Sequence, residues 1–346
     1  MNATARGASR PRWLDDLQPI LDTVQIVSPT CFTLAGERVD TTRRPPPSSR
    51  DEFFDPDPLM SMLHRRLYAT FHAGASGSDD GGAEQQIYVA GLSAANLSFD
   101  RWDRGWTVVE TLASGAVIVE KGYRTRRANP GEFLSGTAPA NVVRGTPVEI
   151  RFRREARVLQ ESFYYAFGGE LDDDFARMRS VRYYLNMDAI AAPSVIGMLT
   201  GEFTTRAVPF ACKCANSPAG FERRDPCVLY VGARHAQLVH YILLSLLPTL
   251  APHLRPAVPM LTHQLASGLG FAEEPLGNDS FGSHRMRAIA LGLITAHKEE
   301  RDDVDGRRAA VLASFAALGI DLDLPHLTAS DADPFGLRRL SFSDDE

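Results

Sequence analysis

The sequence predicts an α+β fold in which a strand-rich middle is flanked by helices. Near both ends, apolar residues recur every three or four positions, as on one face of a helix, whereas the middle alternates apolar and polar residues as a half-exposed strand does. The composition agrees, because 44% of the 346 residues are hydrophobic and 23% are charged, which is usual for a folded globular protein. We therefore expect a single domain over residues 13–327.

Five helices are expected before and after the central strands. The helical spacing of Leu59, Leu63 and Leu67 is the clearest example, and Asp303 is a candidate capping residue for the last helix. The predicted helices cover residues 13–27, 58–71, 234–250, 283–298 and 307–318.

The predicted strands are short, and one pair forms a hairpin with its turn at Ser114 and Gly115. The strand at 181–187 places Arg182, Tyr184 and Asn186 on one face. The strand predictions cover residues 87–92, 107–121, 148–153, 162–168, 181–187, 208–214 and 228–231.

The segments outside these elements are polar or rich in Pro, Gly and Ser. We expect a disordered N-terminus at 1–12, flexible loops at about 40–51 and 74–84, and an acidic flexible tail at 328–346.

Charge and hydropathy exclude several classes of protein. The net charge of −6 argues against a protein that binds nucleic acid through its overall field. No run of eighteen apolar residues is present, so no membrane span is expected, and the first residues lack the apolar core of a secretory signal. Four cysteines are too few for a disulfide scaffold, so we expect a cytoplasmic protein.

The motifs for phosphate loops, zinc sites and calcium loops are all missing from the sequence. Cys212 and Cys214 could suggest a metal site together with Cys227, but two inward-facing thiols on a strand explain the spacing more simply. No metal and no cofactor are predicted.

The middle of the chain is basic within an acidic protein. Residues 121–182 contain 12 Lys or Arg against 8 Asp or Glu. This excess fits a solvated sheet face, and it also fits an anion site, since guanidinium groups match phosphate geometry.

A second candidate anion site is the start of the helix near residue 283. Backbone N–H groups at a helix start attract anions, and His284 and Arg285 lie beside them in the sequence. The alternative is an ordinary helix cap at Ser280 or Ser283.

Lys213 is one of three lysines, against 34 arginines, and its strand is otherwise apolar or small. Partial burial and nearby arginines favour the neutral amine, which could act as a general base near neutral pH. The alternative is an edge lysine whose amine reaches water.

Several segments, in this order, resemble the HopA-type family of bacterial type III effectors and their actinobacterial relatives in ribosomal peptide gene clusters. They are NPGEFL at 129–134, QESFYYAFG at 160–168, VRYYLN at 181–186, VPFACK at 208–213, RRDPCVLY at 223–230, ASGLGFAEEP at 266–275 and SFGSHR at 280–285. The resemblance extends over about residues 13–298.

The resemblance implies a function. The actinobacterial branch looks like the lyase partner of a separate peptide kinase in class V lanthipeptide and thioamitide pathways. The kinase phosphorylates Ser or Thr of a precursor peptide, and the lyase eliminates the phosphate to leave dehydroalanine or dehydrobutyrine. The Arg-rich, Lys-poor composition favours this branch over the effectors, and the expected partners are the phosphorylated peptide and the kinase, in a heteromeric complex.

Such a reaction requires a base, cations for the phosphate and an acid. We assign Lys213 as the base and either Tyr164 or His284 as the acid. The candidate phosphate- and substrate-binding residues are Arg182, Arg223, Arg224 (as a substitute for Arg223), Arg285, Asn186 and Asp225, the last by orienting an arginine.

Three alternatives remain open at this stage. Lys213 could bind phosphate while a tyrosine or histidine moves the proton. The chain could be an effector-like protein that binds a phosphorylated or host partner without turnover. It could also be a scaffold that stabilises the kinase, with Lys213 serving only the structure.

Overall fold

The computed structural model describes residues 12–43, 53–74, 82–138, 141–169, 179–277, 279–328 and 332–340. Within these ranges, helices and antiparallel sheets form separate layers, which confirms the predicted α+β class.

A seven-stranded antiparallel sheet forms the centre of the molecule. Its strands are β9 (Glu155–Gln160), β10 (Phe163–Gly168), β11 (Ser180–Leu185), β12 (Phe210–Ala215), β13 (Cys227–Gly232), β14 (His263–Ala266) and β15 (Leu269–Glu273). They lie side by side in the order β14-β15-β11-β13-β12-β10-β9, so β9 is an edge strand. Four of these seven strands, β10 to β13, were predicted from the sequence.

Two smaller antiparallel sheets precede the central one along the chain. The first consists of β1 (Val24–Ser28), β2 (Cys31–Leu34) and β3 (Glu37–Asp40). The second has the order β6-β5-β4-β8-β7 and consists of β4 (Arg101–Thr111), β5 (Val117–Lys121), β6 (Arg124–Ala128), β7 (Phe133–Ser135) and β8 (Pro147–Phe152). This second sheet, the small sheet below, has its own apolar core around Trp106 and Ile150.

Helices cover both faces of the central sheet. On one face lie α3 (Ala83–Ala95), α4 (Ala192–Thr205) and α5 (Ala236–Leu250), and they bury the larger core cluster. On the other face lie α1 (Arg12–Thr23), α2 (Pro58–Leu67), α6 (Phe281–Lys298) and α7 (Val304–Ala317). The sheet residues in this second cluster, such as Tyr184, Val228 and Ala272, come from β11, β13 and β15. The half-buried Tyr165 and Phe167 on β10 lie beyond it.

Helix α2 continues directly into a π-helical turn, Tyr68–Ala73, which ends at Gly74 in the left-handed region with φ +81°. A π turn adds one residue to each turn of helix and therefore rotates the side chains that follow it. A glycine at the end is favoured because it adopts a positive φ without a Cβ clash.

Two sequence predictions of secondary structure were wrong. Residues 87–92 were predicted as a strand but belong to α3, where Val89 and Leu92 are buried three positions apart, and a short apolar run does not distinguish the two states. The predicted helix at 13–27 ends at Thr23, because Val24 and Ile26 alternate with exposed residues in β1 and pair with β2.

The predicted flexible segments lie largely outside the described residues, namely 1–11, 44–52, 75–81, 329–331 and 341–346. The structure describes residues 332–340 of the predicted tail. Leu337 is 2% exposed and belongs to the larger core cluster.

Candidate active site

Lys213 lies in the middle of β12, opposite Tyr165 of β10 and Val228 of β13. Because side chains alternate along a strand, Lys213 faces away from its neighbours Cys212 and Cys214, which are buried in the larger core cluster. The prediction of two inward thiols is thus confirmed. The Lys213 Nζ atom lies 3.8 Å from the centroid of the Phe163 ring, a cation–π contact.

Lys213 lines a cavity of about 200 Å³, called the Lys213 cavity below. Its described walls combine aromatic rings, two cations and several small polar groups. They are Phe53, Tyr68, Gln160, Ser162, Phe163, Lys213, Ala215, Ser217, Gly220 and Arg223. An aromatic cavity with a few cationic and hydroxyl groups suits a small anionic group attached to a larger molecule.

Arg223 and Asp225 form a buried pair beside this cavity. The Nε and Nη2 atoms of Arg223 donate to the two carboxylate oxygens of Asp225 at 2.8 and 2.9 Å. Burial raises the pKa of Asp225, but the charge and hydrogen bonds of Arg223, with smaller contributions from His72 and Lys213, outweigh it and lower the pKa to about 2. Asp225 therefore stays ionised and holds the guanidinium of Arg223 at the cavity wall.

Tyr68 is a site residue that the sequence analysis did not identify. It is the first residue of the π turn, and its hydroxyl donates to Asp225 Oδ2 at 3.3 Å. Its ring also lies 6.0 Å from the Cζ atom of Arg223. The structure thus brings a tyrosine hydroxyl, an arginine and a lysine to one cavity.

His72 lies behind this group, on the same π turn, and is 1% exposed. Burial lowers its pKa to about 4, although Asp225 acts in the opposite direction. Its ring approaches so closely to α6 that a Cβ at Gly282 would lie 2.4 Å from Nε2. The Nδ1 atom of His72 and the hydroxyl of Tyr184 are both buried and find no hydrogen-bond partner among the described residues.

Arg182 pairs with Tyr230, and Tyr230 pairs with Ala211 of β12. Because Ala211 lies two residues from Lys213, Arg182 faces the same side of the sheet as Lys213. Its guanidinium makes a two-pronged ion pair with Glu274 and stacks over the ring of Tyr230 at 4.9 Å. Arg182 is not among the cavity's described walls, so the structure places it in the layer that supports the site.

Tyr164 does not reach the Lys213 cavity, contrary to its assignment as the acid. It lies one residue from Phe163 and so faces the opposite side of the sheet, where it is fully buried. Its hydroxyl donates to Glu155 at 2.8 Å and accepts from Asn96 at 3.0 Å, and burial raises its pKa.

His284 and Arg285 are likewise absent from the described walls of the cavity. Arg285 is 1% exposed and donates to the carbonyl oxygens of Pro325 and Leu327 at 2.9 and 2.8 Å, so it holds the segment after β15 rather than a phosphate. Burial lowers the pKa of Arg285 to about 10 and that of His284 to about 4. The helix start is an ordinary cap, in which Ser280 Oγ accepts from Ser283 N.

Asn186 and Arg224 support the site from outside. Asn186 accepts from Arg255, which also donates to the backbone carbonyl of Arg223 at 3.0 Å. Arg224 donates to the carbonyl of Phe71 at 3.0 Å and its backbone N–H to that of Ala73, so it fixes the end of the π turn. Neither residue is in position to bind the contents of the cavity directly.

Within the described ranges the structure offers neither a metal cluster nor a membrane-spanning helix. No group of three or more His, Cys, Asp or Glu side chains is arranged to hold a metal ion. None of the described helices is long and apolar enough to cross a membrane.

Two solved structures align with most of the chain. The effector protein from Pseudomonas syringae pv. tomato strain DC3000 aligns with 84% of this chain and 93% of its own, at a TM-score of 0.45 and 16% identity. The effector protein from Pseudomonas syringae pv. syringae strain 61 aligns with 82% of this chain and 99% of its own, at a TM-score of 0.38 and 14% identity. No curated protein matches the chain. Residues 155–327 match the HopA1 effector protein family, and the chain, of which this is half, belongs to that family.

Proposed function

We propose that this protein is a lyase that eliminates phosphate from phosphoserine or phosphothreonine of a ribosomal precursor peptide, leaving dehydroalanine or dehydrobutyrine. The observation that carries the proposal is the meeting of Lys213, Arg223 and Tyr68 in one cavity of about 200 Å³. These three side chains supply the base, the cation and the acid that the elimination requires.

Lys213 is the base in this proposal. Its neutral amine takes the Cα proton of the phosphorylated residue, the electron pair forms the Cα=Cβ double bond, and the Cβ–O bond breaks as phosphate leaves with its bonding electrons. Phe163 and Asp225 both stabilise the charged amine, because one offers a ring face and the other a negative charge. An amine accepts a proton only in its neutral form, so we expect the rate of elimination to rise with pH.

Arg223 and Tyr68 act on the phosphate. Two hydrogen bonds to Asp225 hold the Arg223 guanidinium rigidly, and a preorganised cation stabilises the charge that develops on a leaving phosphate. The Tyr68 hydroxyl donates its proton to the departing oxygen and recovers one when Lys213 releases the Cα proton through solvent. Tyr68 thus replaces Tyr164 and His284 as the proposed acid.

The reaction as written needs neither metal nor nucleotide, but it does need a phosphorylated peptide. We propose that a separate kinase supplies that peptide within a heteromeric complex, in lanthipeptide-like biosynthesis. The four free, buried thiols are compatible with a reducing cytoplasm, where we place the protein.

The test is mass spectrometry of a phosphothreonine peptide incubated with the purified protein, without ATP or metal. We expect the peptide to lose the mass of one phosphoric acid, and we expect Lys213→Ala to abolish this loss. Lys298→Ala, which changes an exposed lysine at the end of α6, serves as the matched control and should retain activity.

Lys213→Arg separates the two roles of the lysine. The arginine keeps the positive charge but does not lose a proton in this pH range, so elimination should stop if Lys213 is the base and continue if it only binds phosphate. Tight binding of the phosphopeptide with no mass loss, by the wild-type protein with its kinase present, would contradict the lyase and favour an effector-like binding protein.

A further inference from the structure

Three aromatic side chains on alternate residues of β10, the aromatic track, continue from the Lys213 cavity along the same face of the sheet. Phe163 lines that cavity, Phe167 lines a second cleft, and Tyr165 lies between them with its ring stacked on Phe167 at a centroid distance of 6.0 Å. Because a strand rises about 3.4 Å per residue, the two ends of this track, four residues apart, are separated by about 14 Å. A short extended peptide lying over Tyr165 would reach both cavities.

The second cleft, called the basic cleft, has a volume of about 420 Å³ and lies where β9 and β10 meet the small sheet. Its described lining holds more positive than negative side chains, together with several apolar ones. The charged members are Arg101, Arg126, Arg151, Arg153, Glu132 and Glu155. Arg151 is paired with Asp100 and Arg153 with Glu132, so Arg101 and Arg126 are the cations that make the cleft attractive to a carboxylate.

Two of the four arginines of the basic cleft, Arg101 and Arg126, contact one aromatic ring. The Cζ atoms of Arg126 and Arg101 lie 4.5 and 5.1 Å from the centroid of the Phe152 ring. Stacking fixes the plane of a guanidinium group, and its edge then presents N–H donors in the geometry that matches a carboxylate. Beside them, Phe99 and Leu159 are 67% and 63% exposed, so the cleft also offers apolar contact to a peptide chain.

We propose that the basic cleft binds an acidic side chain of the substrate peptide, about four residues from the phosphorylated residue in the Lys213 cavity. The excess of arginine selects an acidic side chain. Continuity of the aromatic track with the Lys213 cavity selects a peptide rather than a separate small anion. The inference rests on the proposed function, because it places the phosphorylated residue of the same peptide beside Lys213.

Binding is tested with a fluorescent peptide that carries a phosphonate analogue of phosphothreonine, which cannot undergo elimination. One version has Asp four residues before the phosphonate, a second has Asp four residues after it, and a third has Asn at both positions. By fluorescence anisotropy, we expect the wild-type protein to bind one of the Asp versions about tenfold more tightly than the Asn version, with the preference weakening in high salt.

Charge reversal identifies the cleft. Arg126→Glu should remove the preference for Asp and create a preference for a peptide with Lys at the same position. Arg104→Glu is the matched control, because Arg104 lies on the same strand as Arg101 but is 84% exposed and is not among the described residues that line the cleft. It should keep the preference for Asp.

Equal affinity of the wild-type protein for the Asp and Asn versions would overturn the inference, as would a preference for Asp that survives Arg126→Glu. Phosphate release from the corresponding phosphothreonine peptides is measured separately. Release without any preference for Asp refutes the role of the basic cleft and leaves the lyase standing. A preference for Asp without release supports the role of the cleft and refutes the lyase.

Discussion

Replacing Asp225 by Asn should both destabilise the protein and loosen the position of Arg223 at the wall of the Lys213 cavity. Asp225 is 5% exposed and accepts two hydrogen bonds from Arg223 and a longer one from Tyr68. The amide of Asn is neutral and offers only one acceptor oxygen, so the buried guanidinium of Arg223 loses its counter-charge. The substitution preserves size, so the change in charge dominates the result.

The pKa of Asp225 gives the magnitude. It falls from the ordinary 3.8 to about 2 in the folded protein, because Arg223 outweighs the cost of burial. At about 1.4 kcal/mol per pKa unit, ionised Asp225 contributes about 2 to 3 kcal/mol to the free energy of unfolding at neutral pH. A carboxyl whose folded pKa is lowered contributes fully above its unfolded pKa, and the contribution disappears as the pH falls from about 4 to 2.

Urea unfolding of the wild type and Asp225→Asn at several pH values measures this contribution. We expect a gap of at least about 2 kcal/mol at pH 7, falling to about half that at pH 3. Asp103→Asn is the matched control, because Asp103 is also buried and accepts from Trp106 and Lys121, but lies in the small sheet. It should lose stability and keep phosphopeptide elimination. A gap that does not change with pH would refute the electrostatic account of Asp225.

Two further predictions separate the site from its supports. Tyr68→Phe should slow phosphate elimination roughly a hundredfold or more, because it removes the proposed acid and keeps the aromatic ring. The melting temperature should stay nearly unchanged, because the hydrogen bond to Asp225 is long, at 3.3 Å. Tyr164→Phe should instead lower stability by about 1 to 3 kcal/mol and leave elimination intact, because it removes a buried hydrogen bond to Glu155. Arg285→Met should also destabilise the protein by about 1 to 3 kcal/mol in urea unfolding, because the carbonyls of Pro325 and Leu327 lose their hydrogen-bond donor. The affinity for a phosphopeptide should stay unchanged. A loss of that affinity would show that Arg285 binds the phosphate.

The sequence predicted four of the seven central strands, β10 to β13, but not β9, β14 and β15. Strand β15 is buried along its whole length and β9 is mostly exposed, so neither has the contrast between two faces that a half-exposed strand shows. On β12 the alternation also predicted two inward thiols, Cys212 and Cys214, and Lys213 between them faces the other side of the sheet. The alternation rule does not determine which residues of two neighbouring strands share a face. Sequence alone does not say whether Tyr164 or Phe163 shares a face with Lys213, because a shift of one residue in register exchanges the two faces of a strand.

The residues that the sequence analysis misplaced depend on contacts between distant parts of the chain. In the sequence, Arg285 looks like an anion ligand at a helix start. In the structure, its guanidinium is occupied by the carbonyl oxygens of Pro325 and Leu327, about 40 residues further along the chain. Tyr68 was missed for a different reason. The helical spacing predicts a regular helix as far as Phe71, but the π turn begins at Tyr68 and changes the direction of the side chains from there.

The position of the candidate site follows from where the helices α1, α2, α6 and α7 stop covering the central sheet. Over β11, β13 and β15 the helices bury apolar side chains, and a charge there must be paired, as Arg182 is with Glu274. At β12 and β10 the apolar layer stops, so Lys213 and Arg223 border a cavity while their counter-charge, Asp225, stays buried behind them. Among the described residues, the β10 and β9 side, over Tyr165, offers the proposed substrate peptide a way to the cavity. This approach is the physical reason to expect that the basic cleft, at the far end of the same strand, takes part in recognising the peptide.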